Sequence, residues 1–335
     1  MERDAVSAPW IAQQARQLAV QQGHALLLQG PSGLGQYSLA LDLARTWLCE
    51  EVTPDGGCRR CASCHAIDVR THADLFALLP ETVMLELEWP LSEKAQKEID
   101  DKKRKPSREI RIDAMRDAIE FAQRTSGRGR GKVVLVYPAE RMNMVTANAL
   151  LKTLEEPPGQ VRFVLATEAA HQLLPTIRSR CLSHAMRWPA DDEALTWLQG
   201  EGVPAADARV LLRAAGGRPE AALGLARAGR TARAWSQVPK AVARGDVSVL
   251  AECTPPQAVD LLQKVCHDLL AVRTGGTPRF FEPADLPAGG TTQALSAWWR
   301  DLATEQRGAE HPFQVALMLE ALVARARSAL HSAQP

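Results

Sequence analysis

The 335-residue chain is 46% hydrophobic and 24% charged, which excludes wholesale disorder and leaves length for roughly two or three domains. Its 40 Lys and Arg stand against 39 Asp and Glu, and the resulting charge of +1 excludes a globally basic chain that coats nucleic acid by bulk charge, though not a local basic patch. No apolar run reaches the roughly 20 residues of a membrane span. The opening Met1-Glu2-Arg3-Asp4-Ala5-Val6 lacks the basic-then-apolar order of a secretion signal, so a cytoplasmic protein with reduced or metal-bound thiols is expected.

Residues 9–22 predict a helix, with Pro9 near its start and Gly23 as its stop. Ala25-Leu26-Leu27-Leu28 then reads as a buried strand running into Gln29-Gly30-Pro31-Ser32-Gly33-Leu34-Gly35. Leu39, Leu43 and Trp47 mark one face of a helix over 39–49, and this strand–loop–helix unit opens a parallel α/β sheet. After a cysteine-rich stretch ending at His65, residues 74–79 predict a second strand. Residues 81–109, with Lys102-Lys103-Arg104-Lys105 among interspersed acids, read as a solvated insertion holding a helix with a mobile end. A helix over 113–124, a strand over 133–136, a helix through Asn148–Leu154 stopped by Pro157-Pro158, and a strand over 161–166 follow. Four strand-like runs separated by helices predict a sheet covered on both faces. Beyond about Arg187 the strand-like runs disappear, and Ala, Leu and Arg recur at helical spacing. The expected organisation is an α/β domain over 1–187, a small helical domain over 188–229 and a larger helical one over 230–335.

Gly30 to Gly35, between a strand and a helix, has the G-x-x-x-x-G spacing of a phosphate loop, whose glycines let backbone N–H groups turn toward phosphates. Such a loop continues with Lys for the β/γ-phosphates and Ser or Thr for Mg²⁺. Here those positions hold Gln36 and Tyr37. A Gln amide cannot balance a triphosphate, and a phenol cannot take the place of a small hydroxyl on magnesium. An acid at the end of a later strand should organise the metal. The strand over 133–136 instead runs into Tyr137-Pro138, with Glu140 two residues beyond the expected catalytic Glu. No bound ATP is expected.

Cys49, Cys58, Cys61 and Cys64 follow the spacing C-x8-C-x2-C-x2-C, which suits tetrahedral Zn²⁺ held by four thiolates as a structural staple. Cys61-Ala-Ser-Cys64-His65 also matches the haem-attachment pattern, but haem attachment would need export and would leave two cysteines idle; a redox dithiol is the other rival. Cys181, Cys253 and Cys266 stand apart, as core or motif residues.

Asn148-Ala-Leu-Leu-Lys-Thr-Leu-Glu-Glu-Pro-Pro158 followed by Thr176-Ile-Arg-Ser-Arg-Cys181 closely resembles bacterial DNA polymerase III clamp-loader subunits, a branch of the AAA+ ATPases. The specific motifs lie within residues 9–190. The resemblance implies a RecA-like parallel-sheet domain with a zinc module at 49–64 and an insertion at 81–109, then a helical lid and an all-α collar. With the broken phosphate loop it points to a subunit that does not hydrolyse ATP. It further implies that Arg180 reaches ATP on a neighbouring subunit, where a guanidinium stabilises the transferred phosphoryl group. Thr167 falls near the family's sensor position, and Glu220 stands where active members carry a nucleotide-sensing arginine, with Arg218 a displaced substitute or a plain helix-start residue. The implied partners are γ/τ-type ATPase and δ subunits in a heteropentamer, with the sliding clamp and primed DNA reached through the complex and no membrane. Trp298-Trp299 and the row Leu317, Leu319, Leu322 and Val323 read as helix-bundle core with some inter-subunit contacts. Two alternatives remain on these residues: an active γ/τ-type ATPase with an unusual site, and a zinc-stapled AAA+-like adaptor outside replication.

Overall fold

The computed structural model describes residues 7–21, 23–308 and 314–332; the expectations placed on Met1–Val6 and Gln22 lie outside these. The chain divides into two units, Met1–Pro189 and Ala190–Pro335.

In the first unit, α1 (Pro9–Ala19) starts at the proline and precedes β1 (Ala25–Gln29). The glycine-rich loop leads into α2 (Gln36–Leu48), and the cysteine stretch into α3 (Ala62–Asp68). Then come β2 (Leu75–Leu78), α4 (Glu81–Glu86), α5 (Glu93–Asp100) and α6 (Ile112–Gln123). The unit continues with β3 (Lys132–Val136), α7 (Met144–Glu155), β4 (Val161–Thr167), α8 (Pro175–Arg178) and β5 (Leu182–Ala185). All strand pairs are parallel, in the order β2-β3-β4-β1-β5. The central runs Ala25–Leu28 of β1 and Val133–Val136 of β3 are apolar because helices cover both faces. Ala25, Leu27, Val134, Phe163 and Leu165 share a core with Met115, Ala118, Leu150 and Leu154 of α6 and α7. Leu26 and Leu28 are equally buried and, by strand alternation, point to the opposite face, where α2 packs.

Two sequence expectations change here. The sheet has a fifth strand: β5 pairs with β1, with Leu26 opposite Leu182. Its Leu-Ser-His-Ala sequence hides it, because an edge strand with mostly exposed residues lacks the apolar run that marks a central one. The 81–109 segment is also anchored rather than merely solvated. Arg104 donates to Glu81 Oε1 at 2.8 Å and to Glu98 Oε2 at 2.7 Å, and Ser107 N–H donates to Glu81 at 2.8 Å. The arginine of the basic run thus clasps α4 to α5. Trp89 between these helices is buried.

The second unit holds only helices among the described residues. Ala194, Leu198, Leu211, Leu212 and Ala222 form the core of α9 (Asp191–Gly200), α10 (Ala205–Ala214) and α11 (Pro219–Arg227). A larger core joins α12 (Ala232–Arg244), α13 (Pro255–Arg273), α14 (Thr292–Gly308) and α15 (Val315–Leu330), contains Trp235, Leu262, Val265, Trp298 and Leu302, and takes in Ala214 at the end of α10. Asp268, fully buried on α13, accepts the N–H groups of Arg279, Phe280 and Phe281 at 2.7–2.8 Å and so pins the following loop. Leu319, Leu322 and Val323 are in this core, but Leu317 is 63% exposed. It lies two residues from Leu319, about 200° around the helix, so it departs from the expected core row.

Candidate functional site

β1 ends against the glycine-rich loop, and Gly35 at φ +93° gives the left-handed turn that starts α2. Gly30 is needed for a different reason: a Cβ there would stand 2.9 Å from the Met186 Cβ. Both positions thus require glycine. The loop's interior is taken by the chain itself. Gln36, 2% exposed, turns its side-chain amide back and donates to the carbonyls of Gly30 at 2.7 Å and Pro31 at 2.8 Å. The residue at the lysine position thus closes the loop by neutral hydrogen bonds.

Tyr37, one residue on, lies with its ring centroid 5.5 Å from that of Tyr137, which follows β3. The two tyrosines are the only ones in the chain, and packing brings them together beside the loop. The Tyr37 hydroxyl accepts from Trp89 Nε1 at 2.7 Å, and Arg70 lies 5.3 Å over the same indole. Burial pushes the Tyr37 phenol above its ordinary value, against the pull of Arg70. Tyr137 donates to Glu168 Oε1 at 2.8 Å. Glu140 receives the Thr167 hydroxyl at 2.7 Å and the Glu168 N–H at 3.1 Å, so it closes the end of β4. Thr167 is fully buried and spends its hydroxyl on this contact.

The four cysteines meet as their spacing predicts. All four sulfurs lie within 4.8 Å of one another, and Cys49 Sγ is 3.9 Å from Cys61 Sγ. A tetrahedral Zn²⁺ with bonds near 2.3 Å holds its sulfurs about 3.8 Å apart, so the set fits such an ion. Backbone N–H groups support the sulfurs: Cys58 N donates to Cys49 Sγ at 3.2 Å, Cys61 N to Cys58 Sγ at 3.3 Å, and Cys64 N to Cys61 Sγ at 3.4 Å. Hydrogen bonding, first from the Arg60 N–H, draws the Cys58 thiol down to about 6, while burial pushes Cys49 and Cys64 up. The cluster is tied down on two sides. Arg45 of α2 bridges Asp42 and Asp68. Arg128 Nη1 reaches Glu50 at 2.6 Å and Ser63 Oγ at 3.1 Å.

Arg180 follows α8, away from these groups in sequence, and stays at the surface with its side chain 33% exposed. Its Nη1 donates to the Thr176 carbonyl at 2.9 Å, and its Nη2 pairs with Glu155 at the end of α7. In the second unit Arg218 stands at the N-cap position of α11 and donates Nε to the Ala215 carbonyl at the end of α10 at 2.7 Å.

A family model described as DNA polymerase III, delta subunit matches residues 10–188. The chain belongs to that family. DNA polymerase III subunit delta' of Pseudomonas aeruginosa is 38% identical over 201 residues, 59% of this chain and 54% of that one. Its counterpart in Escherichia coli strain K12 is 36% identical over 203 residues, 60% and 54% of the two chains. DNA polymerase III subunit tau of the same strain is 33% identical over 164 residues, 49% of this chain and 22% of its own. The chain thus spans about half the length of the curated delta' relatives it matches.

In this delta-family chain three contacts had no reading in the sequence. Trp89 seals Tyr37 from a segment that its charge alone marks as solvent-facing. Glu168 takes the Tyr137 hydroxyl. Glu155 was legible only as a letter of the Leu-Glu-Glu-Pro-Pro motif, yet it is the ion-pair partner of Arg180. Among the described residues no helix is long and apolar enough to cross a membrane.

Proposed function

We propose that this protein is the δ′ subunit of a DNA polymerase III clamp loader, a member of the complex that does not itself hydrolyse ATP. The observation that carries the reading is Gln36. Where a nucleotide-binding loop needs a cation, this chain has an amide already bonded to the loop's own Gly30 and Pro31 carbonyls. Tyr37 and Tyr137, packed together where a small hydroxyl and an acid belong, support it. Equilibrium binding of labelled ATP to the isolated chain stays at background on this reading; saturable, magnesium-dependent binding favours the γ/τ-type ATPase instead.

In the assembled heteropentamer, with γ/τ-type ATPase and δ subunits, the chain supplies Arg180 to ATP on its neighbour. A guanidinium held on a folded motif stabilises charge on the transferred phosphoryl group without catalysing anything in its own chain. The complex loads the sliding clamp on primed DNA, and DNA affinity is shared across subunits, in keeping with a charge of +1. Residues 188–229 act as the lid and 230–335 as the collar; Leu198, Leu211 and Ala222 centre one core and Trp235, Leu262 and Trp298 the other, which Ala214 also enters. Cys49, Cys58, Cys61 and Cys64 hold Zn²⁺ in a closed site; when bound, the ion cross-links the module and does no chemistry.

The test is reconstitution with wild-type chain or Arg180→Ala, followed by DNA-stimulated ATP hydrolysis. The variant assembles and lowers turnover by about 10³-fold at the site it serves, the size reported generally for arginine fingers. Unchanged turnover in a properly assembled complex overturns the assignment.

A further inference from the structure

Arg180 reaches the surface with both terminal nitrogens engaged by its own chain. Nη1 donates to the Thr176 carbonyl at 2.9 Å and touches Ser179 Oγ at 3.5 Å, while Nη2 pairs with the Glu155 carboxylate. Glu155 ends α7, and α8, which contains Thr176, packs against that helix. The pair is therefore built by two elements of one unit rather than by neighbouring residues in sequence. A guanidinium that meets a phosphoryl group aims its planar fork of N–H donors at the oxygens. Here one arm of that fork faces a carboxylate.

We infer that Glu155 sheathes Arg180: it is a resident counter-ion that holds the guanidinium while no phosphate is present and competes for it with the neighbouring subunit's nucleotide. This rests on the trans-arginine reading above. The two side chains are 33% and 47% exposed, so their attraction is screened by water and weak enough to be exchanged. A triphosphate carries more negative charge than one carboxylate and offers the fork three oxygens on its terminal group, so it displaces Glu155. The Thr176 carbonyl remains on Nη1 through the exchange and preserves the direction of the side chain.

A competitor for the arginine weakens ground state and transition state alike, so its removal changes the nucleotide concentration required and leaves the chemical step untouched. Glu155→Gln keeps the shape and deletes the charge. In the full complex, DNA-stimulated hydrolysis with Glu155→Gln has a KM for ATP lowered about two- to fivefold, the size of an exposed ion pair, with kcat unchanged. Glu155→Gln combined with Arg180→Ala matches Arg180→Ala alone, because the charge acts only through the arginine. In the isolated chain, phenylglyoxal modifies Arg180 faster in Glu155→Gln, read by peptide mass spectrometry. An unchanged KM, or a lowered kcat, while Arg180→Ala is impaired overturns the sheath and leaves the trans arginine standing. If Arg180→Ala itself has full turnover, the trans arginine is wrong and the sheath falls with it. Equal modification rates overturn the pairing.

Discussion

Gln36 shows how one residue type can carry two meanings. Read along the chain it is a missing positive charge; in the fold it is a donor that satisfies two loop carbonyls from within. Those bonds make a prediction about stability that the missing charge does not. Gln36→Ala removes both donors from a nearly buried position, at a cost of roughly 1–2 kcal/mol. For a unit of this size that is a fall of about 2–8 °C in the melting temperature, measured by thermal denaturation. No change would mean that water replaces the amide without loss. The tyrosines make the same point from the other side. Tyr37 and Tyr137 each stand where a nucleotide site would use another residue, but their contact exists only in the fold.

At the scale of elements, charge patterning misleads where it meets geometry. The mixed charges of 81–109 describe a solvated face, and Lys102 and Lys105 are exposed as such a face requires. Arg104 in the same run instead sits between Glu81 and Glu98, because α4 and α5 present their acids toward it. Arg104 and the Ser107 N–H together hold the Glu81 carboxyl below its ordinary value of 4.5, against the burial that would raise it. A depressed folded value means that the clasp contributes stability above about pH 4.5, and that the contribution is lost as pH falls through the lower folded value. Limited proteolysis of 81–109 therefore accelerates on acidification below 4.5. In Glu81→Gln cleavage is already faster at neutral pH and changes less with acid. A wild-type cleavage rate in that variant would show that the clasp does not hold the segment. The edge strand β5 belongs to the same scale: its pairing with β1, not its composition, makes it a strand.

For the whole molecule, the cysteine module links parts of the first unit that the chain order keeps apart. Arg45 ties it to α2, and Arg128 ties it to the loop before β3. A metal that closes this module therefore stabilises more than its own turn. Elemental analysis should find one Zn²⁺ per chain, and Cys64→Ser should lower that content and expose residues 49–64 to protease. Each thiol must lose its proton to bind the ion, so chelators strip the metal faster at about pH 6 than at about pH 8. A metal-free, fully folded protein would remove zinc from the account. The helical unit has a different basis: two apolar cores, and the buried Asp268 that anchors the loop after α13.

The sequence by itself determined the strand–loop–helix opening, the Gln in place of the phosphate-loop lysine and the grouping of the four cysteines. Each is a local pattern, in which spacing along a strand, a turn or a helix fixes what neighbours can do. The motif that contains Arg180 is equally local, a few consecutive residues. Only the tertiary structure decided what these groups touch. Trp89 lies 52 residues from Tyr37, and Glu155 reaches Arg180 from a different helix. Such partners are chosen by how the helices cover the sheet, so side chains that no local rule connects meet because the fold brings their elements together.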